Sequence, residues 1–462
     1  MKFALPSLIL ALLFETSLLQ AASLRVAAFS CDATPPLGEP MIWATKLEKV
    51  VTPLLAKGVV LADGTNRFVL CSFDWCLICN ESEQNFCETL TRAASTLPSP
   101  VSVHSVHQHA APYADEGAHR LLDAASNSPS HLSANFLKEF RARLASAASE
   151  AVKRLEVFDR IGTGQGKVER VASARRIHDA NGRLLIRFST GALDRVMADA
   201  PEGDIDPMLK TITFAHGDKT LVRLHFYATH PQTFCCDGRA SADFIGEARE
   251  DLEKAEHVPQ IYFTGCAGDV TVGKYNDGSL EAYVGLKHRF GDGLKASIAA
   301  TRFEPATNIL WRDDAVSFPL RDEKAKIVAE SRAWLNDMKQ PDTLRVFKGA
   351  MRLAFVERAE RPVEVSALQL GGVWIVNLPG EPMLSFQRFT QGLRAKNFVA
   401  VAGYADCGPS YICTEQAIGE GGYEPASSNV GRGSEQALRE AIQRLLAGDS
   451  EAGAKKIVIE LN

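Results

Sequence analysis

Three of the chain's eleven histidines, His104, His107 and His109, lie close together at the end of an apolar run. The run reads VSVHSVHQHAAP from Val101, and its β-branched residues predict a strand that ends at the histidines. Residues two apart share a face of an extended chain, so His107 and His109 are expected to point the same way. Neutral imidazole binds zinc or copper well, and its pKa of about 6.5 also suits proton transfer. The stretch therefore indicates a metal or proton-transfer site, with surface histidines as the structural alternative.

Four more segments carry polar side chains directly after apolar strands, where open α/β sheets place their sites. They are LVRLHFYATHPQTF with His230, QIYFTGCAGDVTVGKYND with the small residues 265–269, VWIVNLPGEPMLS with Glu381, and residues 399–428 with Tyr411 and Tyr423. Each has an ordinary alternative, such as a structural hydrogen bond for His230 or helix capping for Glu381. Together, two histidines, one carboxylate and phenolic oxygens form a ligand set suited to zinc with an open position for water.

Strand and helix patterns alternate along the whole chain. Nearly continuous apolar runs predict strands at residues 56–61, 67–73, 101–106, 221–227 and 373–378. Apolar residues spaced three and four apart predict helices at residues 136–155, 244–255, 325–338, 383–394 and 436–446. The charged stretch 322–340 is expected to form a surface helical excursion. With no repeat or long linker, we expect an α/β fold: a layered mixed β-sheet core flanked by helices in a single large catalytic domain.

Charge and composition exclude a nucleic-acid surface. The 462 residues carry a formal net charge of −5, and no stripe of lysine and arginine is interleaved with aromatic residues. A phosphate backbone would need such a stripe, so no nucleic-acid partner is expected. The sequence also gives no sign of an obligate protein partner.

The first residues resemble a secretory signal peptide. Lys2 precedes an apolar run at residues 3–14, and small residues follow at Ala21, Ala22 and Ser23. The run is short for a membrane span, which favours a cleaved signal peptide over a membrane anchor. We therefore divide the chain into a signal peptide at 1–22 and a catalytic domain at 23–462. We therefore expect an exported protein, periplasmic or secreted.

Export would place the ten cysteines in an oxidising compartment, where disulfides are permitted but their pairing is not fixed. Cys76 and Cys79 are interpreted as buried thiols or an ordinary disulfide in preference to a redox pair. The adjacent Cys235 and Cys236 stay unassigned.

The same segments, in the same order, resemble those of the neutral/alkaline (non-lysosomal) ceramidase family. The family hallmark Thr-His-Thr-His-Ser-Gly-Pro corresponds to VHQHAAP at residues 106–112. SYICTE at 410–415 and YEPAS at 423–427 resemble Ser-Tyr-Val-Thr-Thr-x-Glu and Tyr-Glu-Gly-Gly-Ser, with the same spacing. The resemblance spans nearly the whole mature chain, and we expect a short form without the C-terminal immunoglobulin-like domain of larger members.

The resemblance implies a zinc-dependent amidohydrolase acting on linear amides, with a place in sphingolipid and lipid metabolism. Its substrate would be N-acylsphingosine (ceramide) or a related N-acyl lipid, which is compatible with peripheral membrane contact. The implied zinc ligands are His107, His230, Glu381 and Tyr411. By the same resemblance, His109 would be the proton shuttle beside the metal and Tyr423 would donate a hydrogen bond to the developing oxyanion.

Further positions are implied to contact substrate. They are Arg175 or Arg176, Asp243 and Asp269. The family's Gly-Asp/Asn-x-Ser-Pro segment corresponds to GDVTV at 268–272, which makes Thr271 a catalytic candidate at the serine position. With threonine there and no proline, the resemblance favours a mechanism based on zinc and water over one that depends on serine.

Other hypotheses stay open. The flank of the paired histidines, with Ala110 and Ala111 for Ser and Gly, alters the pocket wall, so another amide or ester substrate is an alternative. The change at Thr271 motivates a second alternative, a catalytically degenerate zinc-binding member. A redox protein built on Cys76 and Cys79 is the least favoured.

Overall fold

The structure is a computed structural model that describes residues 23–97, 100–125, 128–337 and 343–447. The signal peptide expected at 1–22 lies outside these residues. In the part of the chain that is described, no helix is both long and apolar enough to cross a membrane.

The strands, numbered in chain order, are β1 (Arg25–Asp32), β2 (Lys49–Val50), β3 (Leu55–Ala62), β4 (Arg67–Phe73), β5 (Leu77–Ile78), β6 (Val101–Ser105), β7 (Tyr113–Ala114), β8 (Glu156–Val157), β9 (Arg160–Lys167), β10 (Ser173–Ala174), β11 (Arg176–His178), β12 (Leu184–Ile186), β13 (Met208–His216), β14 (Lys219–Tyr227), β15 (Arg239–Ala240), β16 (Gln260–Thr264), β17 (Val270–Thr271), β18 (Arg302–Pro305), β19 (Ile309–Val316), β20 (Val363–Leu370), β21 (Val373–Asn377), β22 (Glu381–Pro382), β23 (Phe398–Ala402) and β24 (Tyr411–Ile412). The helices are α1 (Asn80–Ala94), α2 (Glu116–Asp123), α3 (Ala134–Lys153), α4 (Arg195–Asp199), α5 (Asp243–Glu256), α6 (Leu280–Ala299), α7 (Lys324–Leu335), α8 (Thr343–Glu357), α9 (Leu384–Leu393), α10 (Glu415–Glu420), α11 (Tyr423–Ser427) and α12 (Ser434–Leu446), with short 3₁₀ turns at Ile42–Ala44 and Gly191–Leu193.

Three sheets form the centre of the fold, with strand orders β6-β4-β3-β1-β8, β16-β14-β13-β9-β18 and β19-β20-β21-β23. Their apolar side chains meet in one buried core, to which Leu70, Phe263 and Ile375 each contribute from a different sheet. Helices α1 and α3 pack on the first sheet, α5 and α6 on the second, and α9 and α12 on the third. The predicted α/β architecture of a layered mixed sheet flanked by helices is therefore confirmed.

The charged excursion is larger than its sequence indicates. Helices α7 and α8 form a pair inserted between β19 and β20, and α8 also packs on α2. The apolar face of α8, with Val346, Phe347 and Leu353, is buried. The prediction of a surface helix covered only α7, because the periodicity of α8 was not recognised.

Each large sheet ends in a parallel strand pair, and the carboxyl ends of the three pairs meet. The pairs are β4–β6, β14–β16 and β21–β23. Ser105 N–H donates to Tyr404 O at 2.9 Å, and Gly403 N–H donates to Thr264 O at 2.8 Å. The Thr264 hydroxyl donates to Val106 O at 2.7 Å. The loops that leave the three pairs therefore start from one place, which positions their side chains as a group.

His104 contributes to this junction. Its Nδ1 lies 2.7 Å from Gly403 O, and its Nε2 lies 2.9 Å from the Ser102 hydroxyl and 3.2 Å from Asn377 Oδ1. Burial lowers the pKa of His104 to about 4. The ring joins the first and third sheets as a neutral hydrogen-bonding group.

Buried His225 predicts a loss of stability in acid. Its ring lies between the Thr211 hydroxyl and Gln260 Oε1, and burial lowers its pKa from 6.5 to about 4. Between these values the unfolded chain binds more protons than the folded one, so the free energy of unfolding falls as pH drops from 6.5 to about 4. The contribution of this residue to the free energy of unfolding, once pH exceeds 6.5, is about 3 kcal/mol. Urea unfolding at several pH values gives the slope of the free energy of unfolding against pH between about 4 and 6.5. This slope should be smaller for His225→Gln than for the wild type, and an equal slope would refute the assignment of the acid sensitivity to His225.

Candidate metal centre and its cavity

His107 follows β6 in the left-handed backbone region, with φ of 72°. Such conformations are costly for a side chain with a Cβ and concentrate at functional sites. Its Nδ1 donates a hydrogen bond to Cys76 O at 2.7 Å, which leaves the lone pair on Nε2. The ring stacks on Tyr404, with 4.5 Å between the ring centres. Both contacts fix the direction of Nε2.

His230 leaves β14 and is oriented in the same way. Its Nδ1 donates to Ala267 O at 2.7 Å, so Nε2 again carries the lone pair. Burial, together with the charge of Arg175, lowers the pKa of His230 to about 3 and keeps the ring neutral. The loop of small residues 265–269 thus provides the carbonyl that orients His230. In the same loop, a Cβ on Gly268 would lie 2.5 Å from the backbone oxygen of Glu381. Glycine is therefore required for the loop to approach β22.

Glu381 completes a group of three converging atoms. Its Oε2 lies 3.1 Å from His107 Nε2 and 3.3 Å from His230 Nε2. All three atoms are buried, and none has a hydrogen-bond donor to accept from. Each histidine donates its Nδ1–H to a backbone carbonyl, so its Nε2 can only accept. The contacts between Nε2 and Glu381 Oε2 therefore bring two acceptors together, with no proton between them. Three lone pairs facing one another in a buried site are stabilised by a cation.

The spacing fits a small divalent ion. The three side chains form the one group of at least three His, Cys, Asp or Glu residues that could hold a metal among the residues that the structure describes. Zinc held at about 2.0–2.1 Å by tetrahedral ligands keeps the ligand atoms about 3.3 Å apart. The separations here are 3.1 and 3.3 Å. Backbone carbonyls that accept from Nδ1 are also the usual support of metal-binding histidines.

Tyr411 lies beside this group because β24 pairs in parallel with β22, with Tyr411 opposite Glu381. Its ring is nearly parallel to that of His230, at 6.4 Å between centres. Its hydroxyl oxygen accepts a hydrogen bond from Arg175 Nη1 at 3.0 Å. The role of Tyr411 as a fourth ligand stays a prediction.

A cavity of about 570 Å³, including its opening, reaches this group. The lining residues are Ile42, Trp43, Cys76, Leu77, His107, His109, Lys348, Met351, Arg352, Glu381, Ser410, Tyr411, Tyr423, Ser427 and Asn429. The sequence-based candidates His109 and Tyr423 are therefore placed at the cavity together with three of the four candidate ligands.

His109 and Tyr423 are held by different means. His109 Nδ1 donates to His107 O at 3.1 Å, which leaves Nε2 available for proton exchange. Tyr423 begins α11 after Gly422, whose φ of 97° favours glycine. The Tyr423 ring packs edge-on against Tyr411 and Phe188, at 5.7 and 5.6 Å between centres.

The two arginine candidates lie behind the cavity wall. Arg175 is buried, with Nη1 donating to Gly268 O and to the Tyr411 hydroxyl at 3.1 and 3.0 Å. Arg176 pairs with Glu420 and Glu424, each at 2.8 Å. Neither side chain lines the cavity, so contact with substrate stays a prediction for both.

The two aspartate candidates accept hydrogen bonds from neighbouring protein groups. Asp243 accepts hydrogen bonds from the Thr233 amide at 2.9 Å and the Thr233 hydroxyl at 2.6 Å, which fixes the loop after His230. Asp269 Oδ1 accepts from the Leu384 amide at 2.8 Å, at the start of α9. These contacts give both carboxylates a structural task near the site.

Thr271 also has a local partner, since its buried hydroxyl accepts a hydrogen bond from Gly273 N–H at 3.2 Å. It is not among the residues that line the cavity. We expect Thr271→Val, which keeps the shape, to retain kcat within a few-fold and to lower the free energy of unfolding by about 1 kcal/mol. Steady-state kinetics and urea unfolding measure the two quantities. A fall of a hundredfold in kcat with a normal fold would instead make the threonine catalytic.

Several residues of the site carry no motif. Tyr404 packs on His107 from the loop after β23, and Trp43 and Arg352 line the cavity from distant segments. Of these three residues, only Tyr404 could have been found from the sequence, because it follows an apolar run that predicts a strand. Cys76 and Cys79 are buried thiols, one of the two states expected, and Cys235 is paired with Cys236.

The fold is similar to that of ceramidases of known structure. One is the neutral ceramidase from Pseudomonas aeruginosa, with a TM-score of 0.67 and 15% sequence identity over 94% of this chain and 76% of that chain. Another is a ceramidase complexed with C2, with a TM-score of 0.66 and 15% identity over 96% of this chain and 78% of that chain. No protein family matches the sequence, and no curated protein does either. The resemblance seen in the sequence is thus confirmed as a shared fold.

Proposed function

We propose that this chain is a zinc-dependent hydrolase of the neutral-ceramidase type, which cleaves the amide bond of N-acylsphingosine or a related N-acyl lipid. One observation carries the proposal: the buried lone pairs of His107, His230 and Glu381 converge at a cavity of about 570 Å³. The likeness of the fold to ceramidases supports it.

The metal would be held by His107, His230 and Glu381, with Tyr411 as the fourth protein ligand. When bound, zinc supplies Lewis acidity, which lowers the pKa of water and polarises a substrate carbonyl. The chain's part is to hold the ligands in place. The carbonyls of Cys76 and Ala267 do this for the two histidines.

Proton transfer is assigned to His109. Its Nδ1 is engaged by a backbone carbonyl, so Nε2 is the atom that takes a proton from the attacking water and returns it to the leaving amine. A neutral ring is needed for the first of these steps. Burial lowers the pKa of His109 and keeps the ring neutral.

Stabilisation of the developing oxyanion is assigned to Tyr423. Its hydroxyl would donate a hydrogen bond to the oxygen as negative charge develops. Arg175 lies with its guanidinium 5.5 Å from the Tyr423 ring centre, so the surroundings favour negative charge. The packing of Tyr423 against Tyr411 and Phe188 limits its motion.

Export and peripheral contact with lipid complete the proposal. The first rests on the sequence of residues 1–22 and the second on the class of substrate. Neither nucleic acid nor an obligate protein partner has a part in it.

The test is to measure zinc content and substrate cleavage on the same preparation. Purified protein is incubated with N-acylsphingosines of several chain lengths, with short amides and with esters, under zinc-replete conditions. We expect one zinc per chain and release of the amine from N-acyl lipids. Hydrolysis of other amides without sphingosine release would refute the ceramide assignment, and no hydrolysis at all would refute the enzyme.

A further inference from the structure

The cavity has one cationic wall, which belongs to α8. Lys348, Met351 and Arg352 lie on the same face of this helix and line the cavity. Apart from Glu381, no carboxylate of the described residues lines it. Glu381 belongs to the candidate metal centre, so no other carboxylate among the described lining residues offsets the charge of Arg352.

Arg352 is partly buried and has no carboxylate partner. Its Nη2 makes one long hydrogen bond, at 3.4 Å, to Ala426 O. The guanidinium lies 5.0 Å from the centre of the Trp334 ring. Among the described residues, no carboxylate lies within ion-pair distance of it. A half-buried guanidinium with four N–H groups to spare is a strong binding group for an oxyanion.

A second guanidinium approaches the same point. Arg321 Nη1 donates to Ala426 O at 2.6 Å, so two cations share one neutral acceptor. Burial and the like charge of Arg321 lower the pKa of Arg352, and the exposed Glu330 acts on it in the opposite sense from beyond ion-pair distance. Asp322, which is also near, is paired with Lys326 at 2.6 Å. An anion between the two guanidiniums would relieve their repulsion.

The lining of the cavity includes both apolar and polar residues, and polar groups lie close to Arg352. Ser410 Oγ donates to Ser427 O at 3.1 Å, and Asn429 Nδ2 donates to Gly408 O at 2.8 Å. These residues adjoin Ala426, the acceptor of both arginines. Arg352 and Asn429 also line a second cavity of about 300 Å³, together with Arg321, Asp322 and Glu330. The other lining residues include Ile42, Trp43, Leu77 and Met351, which suit an acyl chain.

We propose that the preferred substrates are N-acyl amides whose amine half carries a carboxylate or a phosphate, and that Arg352, with Arg321, binds this anionic group. The inference rests on the proposed function and specifies its substrate class. The uncharged hydroxyl groups of an N-acylsphingosine would leave the two guanidiniums without a counter-charge.

The test compares substrates that differ in charge and little else. N-dodecanoylglycine is paired with N-dodecanoylglycinamide, and N-dodecanoylphosphoethanolamine with N-dodecanoylethanolamine. We expect the charged member of at least one pair to have the higher kcat/KM, by on the order of ten- to a hundredfold and mainly through KM. The two pairs distinguish a carboxylate from a phosphate.

Substitutions test whether Arg352 produces the preference for charged substrates. Arg352→Gln should bring the ratio of charged to neutral kcat/KM close to one, and Arg352→Lys should restore part of it. Lys295→Gln, which removes an exposed charge on α6, is the matched control and should keep the wild-type ratio. Equal kcat/KM within both wild-type pairs, or an unchanged ratio in Arg352→Gln, would overturn the inference while leaving the hydrolase in place. Absence of hydrolysis for all four substrates and for N-acylsphingosine would instead overturn the proposed function.

Discussion

The His107→Ala protein is expected to lose its zinc and to hydrolyse amides at least about a thousandfold more slowly than the wild type. The imidazole Nε2 is one of three buried ligand atoms, at 3.1 Å from Glu381 Oε2. A catalytic zinc ion is usually held by three protein ligands, so the loss of one weakens binding severely. Glu381→Gln should have a similar effect, because it keeps the size of the side chain and removes its charge.

Zinc per chain and kcat are the two quantities to measure for these variants, on protein that has passed a folding check by circular dichroism. His216→Ala is the matched control, since this histidine is exposed and pairs with Asp159 on the surface. It should keep both zinc and activity. A His107→Ala protein with one zinc and normal kcat would contradict the ligand assignment.

Tyr423→Phe is expected to lower kcat by about a hundredfold or more while leaving zinc content unchanged. The substitution removes only the hydroxyl, and the loss of one oxyanion donor raises the barrier by about 2.7–4 kcal/mol. Because that bond forms as charge develops, KM should change much less than kcat. The ring contacts with Tyr411 and Phe188 remain, so the fold should be preserved.

Tyr275→Phe provides the control for this substitution. Its hydroxyl bonds to Glu202 at 2.5 Å, and it is not among the cavity residues. Its kcat should match that of the wild type. If Tyr423→Phe also kept the wild-type kcat, the oxyanion would have to be stabilised by another group.

The positions of the metal candidates were predictable because they depend on strand ends. His107, His230 and Glu381 each follow a buried apolar run, and the three runs are β6, β14 and β21. That these strands belong to three different sheets could not be read from the sequence. Their convergence depends on hydrogen bonds between the sheets, such as that of Ser105 with Tyr404, which leave no local pattern.

The roles of the two aspartate candidates depend on their hydrogen-bond donors, which the spacing of residues in the sequence does not reveal. Asp243 and Asp269 occupy positions close to the site, yet their oxygens accept from the backbone of Thr233 and Leu384. A motif gives the position of a side chain along the chain and not the direction in which it points. Arg352 shows the converse case, because it reaches the cavity from a helix pair inserted between two strands.

Titration of metal-free protein with zinc tests most directly whether His107, His230 and Glu381 form the centre of a hydrolase. Amide hydrolysis is followed after each addition, with the fastest substrate of the series and a chelator as the reference for zero zinc. We expect activity to rise linearly and to level off at one zinc per chain, with no rise for His107→Ala. Full activity in the metal-free protein would contradict a zinc-dependent hydrolase, and an equal rise in His107→Ala would contradict this centre.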